Sequence, residues 1–254
     1  MMFVDVDWPL ANTVTAFTTT RQGGYSISPY HEFNLGTHVG DDYTRVLKNR
    51  SILVNKVSQK PIAWLNQVHG NDVAVIDSQL LTSLDAINDQ SMSHITADAA
   101  FTREKHVALA ILTADCLPIL IADRQGLQLA AIHGGWRPLA SGIIKNTLAH
   151  FSAPREQLFA WLGPCIGEHA FEVGGDVLQA FTALSPELEV CFKAKRNDKY
   201  LANLHEIARY LLKQQGIEQI FTQPDCTYRN PEHYFSYRRD TITGRMATVI
   251  TARC

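Results

Sequence analysis

The sequence predicts one α/β domain spanning residues 1–254, with a mixed β-sheet, a central antiparallel hairpin and flanking helices. Three observations carry this expectation. β-branched and aromatic runs alternate with segments of helical period, with no linker, internal repeat or low-complexity tract between them. Two strongly apolar runs, LPILIA and LQLAAI, are separated only by Asp123, Arg124, Gln125 and Gly126. A parallel crossover needs about a dozen residues or more, so these two strands are antiparallel neighbours. Finally, a chain of 254 residues buries most of its surface without help from disulfides.

The elements follow in order. TVTAFTTT (13–20), PIAWLNQVH (61–69) and DVAVID (72–77) read as strands because they are rich in β-branched or aromatic residues. The segment 41–57 has near-helical apolar spacing behind Asp41 and Asp42, which suits a helix N-terminus. The polar stretch 82–96 reads as a mobile loop. Both faces of the central hairpin are apolar, with Pro118, Leu120 and Ala122 on one and Leu117, Ile119 and Ile121 on the other, so it is buried on both sides. Helices are expected at 138–151, 173–184 and 201–216, the last stopped by Gly216, and strands at 157–163 and 245–251.

Composition narrows the function. The chain is 46% hydrophobic and 19% charged with a formal net charge of -2, which gives no electrostatic footprint for nucleic acid or an anionic membrane. Cys116, Cys165, Cys191, Cys226 and Cys254 are odd in number and form no C-x-x-C pair, as expected of reduced thiols in a cytoplasmic protein. MMFVDVDWPL lacks the basic start of a secretory signal. The longest apolar stretch, VALAILTADCLPILIA, is interrupted by Asp115 and Pro118 and is too short to cross a bilayer as a helix.

The hairpin also places chemistry. If Arg124 and Gln125 form a two-residue turn, the same register sets Cys116 directly opposite His133, with Cβ atoms about 4.5–5.5 Å apart. A bulge would shift that register by one. Both residues could then hold one zinc ion, which sits about 2.3 Å from sulfur and about 2.0–2.1 Å from imidazole nitrogen. A catalytic zinc site has three protein ligands and an open position. His69, at the end of a strand and before Gly70, is the best-placed third ligand, while His31, His38, His94 and His233 remain open on spacing. After His133 come Gly134 and Gly135, then Trp136, Arg137 and a helix, an arrangement suited to an anion, phosphate first.

NQVHG (66–70), TADCLP (113–118) and HGGWR (133–137) resemble the signature segments of the YfiH family, also called the laccase-domain or polyphenol-oxidoreductase family. The resemblance continues through TTRQGGYS around Arg21, FNLGTHVGDD (33–42), Asn49-Arg50, LGPCIG (162–167), FEVG (171–174) and FSYRRDTITGRMA (235–247). Gly134 and Cys165 stand where the family commonly has alanine. The resemblance implies a single α/β domain holding zinc through His69, Cys116 and His133. It further implies phosphorolysis of adenosine, inosine and methylthioadenosine, with adenosine deamination. Bacterial relatives are also described as peptidoglycan editing factors that remove a misincorporated serine.

Phosphorolysis requires phosphate beneath the anomeric carbon, a task suited to the planar guanidinium. The candidates are Arg21, Arg50, Arg137, Arg238 and Arg239, with Asn34 and Tyr237 from the family-like segments beside them. Deamination would use a zinc-bound water, but the H-x-E and P-C-x-x-C of zinc nucleobase deaminases are absent. Asp115 and Glu172 are the candidates for proton transfer. Three rival readings stand beside this one. A cysteine hydrolase would use Cys116 as nucleophile with His133 or His69 as base. A copper laccase, suggested by the family's name, is disfavoured because the chain has no His-x-His pair. A non-catalytic zinc protein would need a fourth ligand. The expected partners are a nucleoside and phosphate, with no nucleic acid and no membrane, and the expected state is a monomer.

Overall fold

The computed structural model describes residues 1–85 and 95–253. In chain order the elements are β1 Phe3–Asp5, β2 Val14–Thr19, α1 Tyr43–Lys56, β3 Ile62–Ala63, β4 Val73–Ile76, α2 Ser78–Asp85, β5 Ala99–Thr102, β6 Ala108–Thr113, β7 Leu117–Asp123 and β8 Leu129–Gly134. They continue with α3 Trp136–Ala140, α4 Ile143–Leu148, β9 Leu158–Leu162, β10 Glu172–Gly174, α5 Gly175–Thr182, β11 Phe192–Ala194, β12 Lys199–Ala202, α6 Leu204–Gln214, β13 Gln219–Thr222, α7 Tyr237–Asp240 and β14 Met246–Ala252.

Two large mixed sheets dominate. One has five strands in the order β1-β2-β14-β6-β3, the other six in the order β13-β9-β7-β8-β5-β4, and β10-β12-β11 make a small third sheet. Between the large sheets lies a core to which Val14, Leu109, Ile111 and Ile250 contribute from the first, and Leu120, Ala131 and Trp161 from the second. The outer face of the six-stranded sheet is covered by apolar residues of α3, α4, α5 and α6, among them Leu139, Ile144, Phe181 and Ile207. The outer face of the other packs against Leu53 of α1 and against Phe33 and Leu35. Strands buried on both faces read as continuous apolar runs, which is why β6, β7 and β8 carry no alternation.

The long apolar stretch of residues 107–122 is therefore two strands belonging to different sheets. Residues 114–116 carry the chain from β6 to β7, and Asp115 turns it with a φ of 94°. The central hairpin exists, but its register differs from the expected one: Pro118 pairs with His133 and Ala122 with Leu129. The connection is longer than two residues. Asp123 accepts the Gly126 N–H through its carbonyl and the Leu127 and Gln128 N–H groups through its carboxylate, and Gly126 has a φ of 69°. The shift is by two residues, an even number, so Cys116 and His133 keep a common face but become diagonal rather than opposed.

Other expectations hold with altered limits. The helix expected at 41–57 is α1, capped by the Asp42 carboxylate accepting the Arg45 N–H at 3.0 Å. The helix expected at 138–151 is split into α3 and α4 at Gly142, whose φ is 89°. The expected strand 61–69 is ordered as a strand only at Ile62–Ala63, with a single bridge from Asn66 to Thr96 beyond it. Of the polar stretch 82–96, residues 82–85 end α2 and residues 86–94 lie outside the described residues. Among the described residues no helix is long and apolar enough to cross a membrane.

The longer connection makes a prediction. A Cβ at Gly126 would stand 2.8 Å from the Thr13 carbonyl oxygen, in a left-handed backbone conformation. Gly126→Ala should therefore cost about 1–3 kcal/mol of stability in urea unfolding. An unchanged midpoint would mean that the connection does not adopt this turn.

Candidate functional site

The sheet register builds the site. β5 pairs antiparallel with β8, Ala99 opposite Ile132, so the next residue, Asp98, lies beside His133. Its carboxylate meets the His133 Nδ1 at 2.7 Å, which turns Nε2 toward the start of β7, where Cys116 stands. The same carboxylate accepts the backbone N–H groups of Val68, His69 and Gly70 at 3.1, 3.0 and 2.7 Å. These bonds hold His69 in a left-handed conformation, φ 60°, which brings its ring against that of His133 with centroids 4.7 Å apart. Gly135 leaves room for the group, since a Cβ there would lie 3.2 Å from both the Cys116 sulfur and His69 Cδ2.

The result is a cluster in which one donor atom from each of His69, Cys116 and His133 lies within 4.8 Å of the others. The Cys116 Sγ is 3.8 Å from His69 Nε2. Two tetrahedral zinc ligands, one sulfur and one nitrogen, would stand about 3.6 Å apart at the usual bond lengths. One thiolate and two imidazoles thus fit a single borderline-soft cation such as zinc, and the cluster's exposed side, where His69 lies, leaves a position for substrate or water. It is the only three-donor cluster of this kind among the described residues.

Electrostatics prepares the donors. Burial opposes ionisation of Cys116, but the His133 and His69 imidazoles outweigh it and bring the thiol down to about 6. Burial likewise opposes a charge on His133, and the Cys116 thiolate and Asp98 carboxylate overcome it, lifting the imidazole to about 9. Asp98 itself is held below the usual carboxylate range: burial works against this, and the hydrogen bonds from His133 and the Gly70 N–H prevail. Without metal, the pair is therefore a thiolate and an imidazolium across neutral pH, and metal binding must release the His133 proton.

A cleft of about 510 Å³ opens over this cluster. Its walls include the aromatic side chains of Trp136, Phe171 and Tyr237, the guanidinium groups of Arg238 and Arg245, and His38, Gln67, Asp115 and Ile166. Gln67 is anchored by donating to the Leu112 carbonyl and accepting the Leu112 N–H, both at 2.8 Å, which pins the NQVHG segment to β6. Burial, then Arg245 and Arg50, hold His38 below the usual imidazole value, so it stays neutral at pH 7.

Of the residues expected to bind phosphate, the structure brings Tyr237 and Arg238 to the cleft. The others are engaged elsewhere. Arg21 grips the carbonyls of His31 and Pro231 and lies over Phe235. Arg50 is buried, donating to the Leu35 carbonyl and stacked on Trp64 at 4.0 Å. Asn34 is fully buried, donating to Gly36 and Asp41 and accepting the Gly36 and Arg245 N–H groups. Arg239 ties the carbonyls of Thr227, Tyr228 and Tyr234 to Asp240. Arg137 lies exposed over Trp136 and is not part of the cleft wall.

Both proton-transfer candidates are already hydrogen-bonded. The Asp115 carboxylate accepts from the Thr227 hydroxyl, the Ser236 hydroxyl and the Arg238 N–H at 2.7, 3.0 and 2.7 Å, so it is a junction that positions α7 and the neighbouring Cys116. Glu172 pairs with Lys195 at 2.6 Å outside the cleft. Of the other histidines, His38 shares the cleft without joining the trio, His233 hydrogen-bonds Asn230, and His94 lies outside the described residues. The residues that sequence reasoning missed are Asp98, Gln67 and Arg245. Asp98 had one visible signal, an acid immediately before the apolar run AAF, where a buried strand should begin.

The titration can be checked in chelator-treated protein. Alkylation of Cys116 by iodoacetamide should rise with pH around a midpoint near 6, below the value of a free thiol, because the thiolate is the nucleophile. Asp98→Asn keeps the size and removes the charge, so the midpoint should move upward. A wild-type midpoint near 9 would contradict the described pairing.

The chain is similar to known proteins along nearly its whole length. A family model described as multi-copper polyphenol oxidoreductase laccase matches residues 15–253. The Escherichia coli K12 protein named purine nucleoside phosphorylase YfiH is 42% identical over 245 residues, covering 96% of this chain and 96% of that protein. A Haemophilus influenzae protein named purine nucleoside phosphorylase is 40% identical over 254 residues, covering 98% of this chain and 99% of that one. The crystal structure of a Neisseria meningitidis protein matches with a TM-score of 0.91 at 40% identity, over 100% of both chains. With its NQVHG, TADCLP and HGGWR segments assembled at one site and the match running through residues 15–253, the chain belongs to the multi-copper polyphenol oxidoreductase laccase family.

Proposed function

We propose that the chain is a zinc-dependent purine nucleoside phosphorylase, which splits adenosine, inosine or methylthioadenosine with phosphate into the free base and the corresponding sugar 1-phosphate, ribose 1-phosphate or its 5-methylthio analogue. The observation that carries this is the content of one cleft: two guanidinium groups and three aromatic side chains share about 510 Å³ with the His69, Cys116 and His133 donors. That volume lies within the range of small-molecule sites. Trp136, Phe171 and Tyr237 supply flat apolar surface for a purine. Arg238 and Arg245 supply the planar donors suited to phosphate. The names of the Escherichia coli and Haemophilus influenzae relatives support the same class of reaction.

A zinc ion held by the trio would supply Lewis acidity and a bound water of lowered pKa. The chain's own residues do the rest. Arg238 donates to the Glu172 carbonyl at 3.0 Å, which fixes its guanidinium at the cleft wall. Arg245 is braced by the carbonyls of Thr243 and Gly244 at 2.9 and 3.0 Å. Neutral His38 is the cleft imidazole outside the trio, and it can orient the base through hydrogen bonds. Adenosine deamination would use the same cleft, with water adding at C6 of the purine and ammonia leaving to give inosine.

A second reading is favoured by one observation. Asp98, His133 and Cys116 form a carboxylate-imidazole-thiolate relay, with 2.7 Å between Asp98 and His133, which is the arrangement of a cysteine hydrolase. Such an enzyme could serve the editing of a misincorporated serine in a peptidoglycan precursor.

Incubation with adenosine, with and without phosphate, separates these readings when adenine, inosine and hypoxanthine are resolved by chromatography. Phosphate-dependent adenine is the expected product. Arg238→Ala and Arg245→Ala should each raise the phosphate KM about 10- to 100-fold, the loss of a charged hydrogen bond of about 1.5–3 kcal/mol. No turnover of adenosine by zinc-loaded protein would overturn the phosphorylase reading in favour of the hydrolase.

A further inference from the structure

We propose that Cys165 and Cys226 are a peroxide-oxidisable thiol pair that closes into a disulfide beside the candidate active site. The two residues face each other across a parallel bridge: the Cys165 N–H donates to the Asp225 carbonyl at 3.2 Å, and the Thr227 N–H donates to the Cys165 carbonyl at 2.9 Å. Directly paired residues on adjacent strands stand about 4.8 Å apart, inside the Cα separation of about 4.4–6.8 Å that a disulfide spans. Their side chains leave the same face of the bridge. Both are thiols in this structure.

The two thiols have different access, which assigns their roles. Cys226 is partly exposed and lines a second cleft of about 510 Å³, together with His205, Arg209 and Arg229. Its sulfur accepts the Gly167 N–H at 3.1 Å, which holds it at the cleft wall. Cys165 is fully buried behind it. His205 donates its Nε2 proton to the Gly163 carbonyl at 2.9 Å, leaving Nδ1 as an acceptor 3.7 Å from the Cys165 sulfur. Burial and the nearby Cys226 push the Cys165 thiol up, so it stays protonated until its proton is taken.

The chemistry balances with hydrogen peroxide as oxidant. The Cys226 sulfur attacks one peroxide oxygen as it gives up its thiol proton, an S–O bond forms, the O–O bond breaks, and the departing hydroxide takes up that proton as water. Cys165 then attacks the Cys226 sulfur, its proton passing to His205 Nδ1. The S–S bond forms, the S–O bond breaks, and hydroxide takes up that proton as the second water. Two thiols lose two electrons in all, and one peroxide becomes two waters.

The pair adjoins the metal-site cradle on both sides. Ile166, next to Cys165, donates its N–H to the Asp115 carbonyl at 2.9 Å, and Thr227, next to Cys226, donates its hydroxyl to the Asp115 carboxylate at 2.7 Å. Asp115 precedes Cys116. The disulfide would tie together the two segments that hold the residue before the metal-site thiol.

The test uses the purified full-length chain with a small molar excess of hydrogen peroxide, followed by alkylation, digestion and mass spectrometry. The expected result is a peptide joining Cys165 to Cys226, located by fragmentation because Cys191 shares the tryptic peptide of Cys165, and undone by dithiothreitol. In Cys165→Ala, Cys226 should stop at the sulfenic acid and be trapped by dimedone. The proposal fails if both thiols of the wild-type protein remain alkylatable after peroxide. It fails equally if the bond joins Cys165 to Cys116 or Cys191, or if Cys226 passes to the sulfinic acid unlinked.

Discussion

One buried carboxylate organises the site. Asp98 makes four short contacts, to the His133 imidazole and to three successive backbone N–H groups at Val68, His69 and Gly70. The contacts act on the donors in two ways. The bond to His133 selects which nitrogen faces Cys116, and the three backbone bonds hold His69 in the left-handed turn that presents its ring. Desolvating a carboxylate is costly unless it is well paired, so the donors around Asp98 are part of what keeps this end of the sheets folded as well as what shapes the site.

The second constraint is topological. The site lies where the chain leaves the five-stranded sheet at Thr113 and enters the six-stranded sheet at Leu117. A crossing between two packed sheets is a natural place for a cleft, because strand ends from both layers converge while their backbone groups lack ladder partners. Here Asp115 accepts the backbone N–H groups of Ile166 and of Arg238 in the first turn of α7, together with the Thr227 and Ser236 hydroxyls. The thiol next to it is thereby held by both layers.

Much of this was legible in the sequence, for reasons that can be named. The hairpin and the common face of Cys116 and His133 follow from the short connection and the two-residue period of a strand, and the parity survived even though the register moved by two. The exact turn was not legible, because Asp123 and Gly126 close a longer connection that strand periodicity alone cannot distinguish. Nor was the division of the 107–122 run between two sheets, since strands buried on both faces look alike wherever they lie. The arginines were the least readable. Arg21, Arg50 and Arg239 sit in family-like segments yet hold backbone carbonyls together away from the cleft, whereas Arg245 reaches it; only tertiary contacts separate these uses. Asp98 was missed because its role needs the pairing of β5 with β8, which no local pattern encodes.

The central claim is that His69, Cys116 and His133 form one metal centre. The most direct measurement is the metal content of the purified protein, by elemental analysis after dialysis, for the wild type and for Cys116→Ala checked for native secondary structure. The account predicts one zinc ion per chain in the wild type and its loss in the variant. Wild-type protein without metal after exposure to zinc, or a folded variant that retains it in full, would contradict the account.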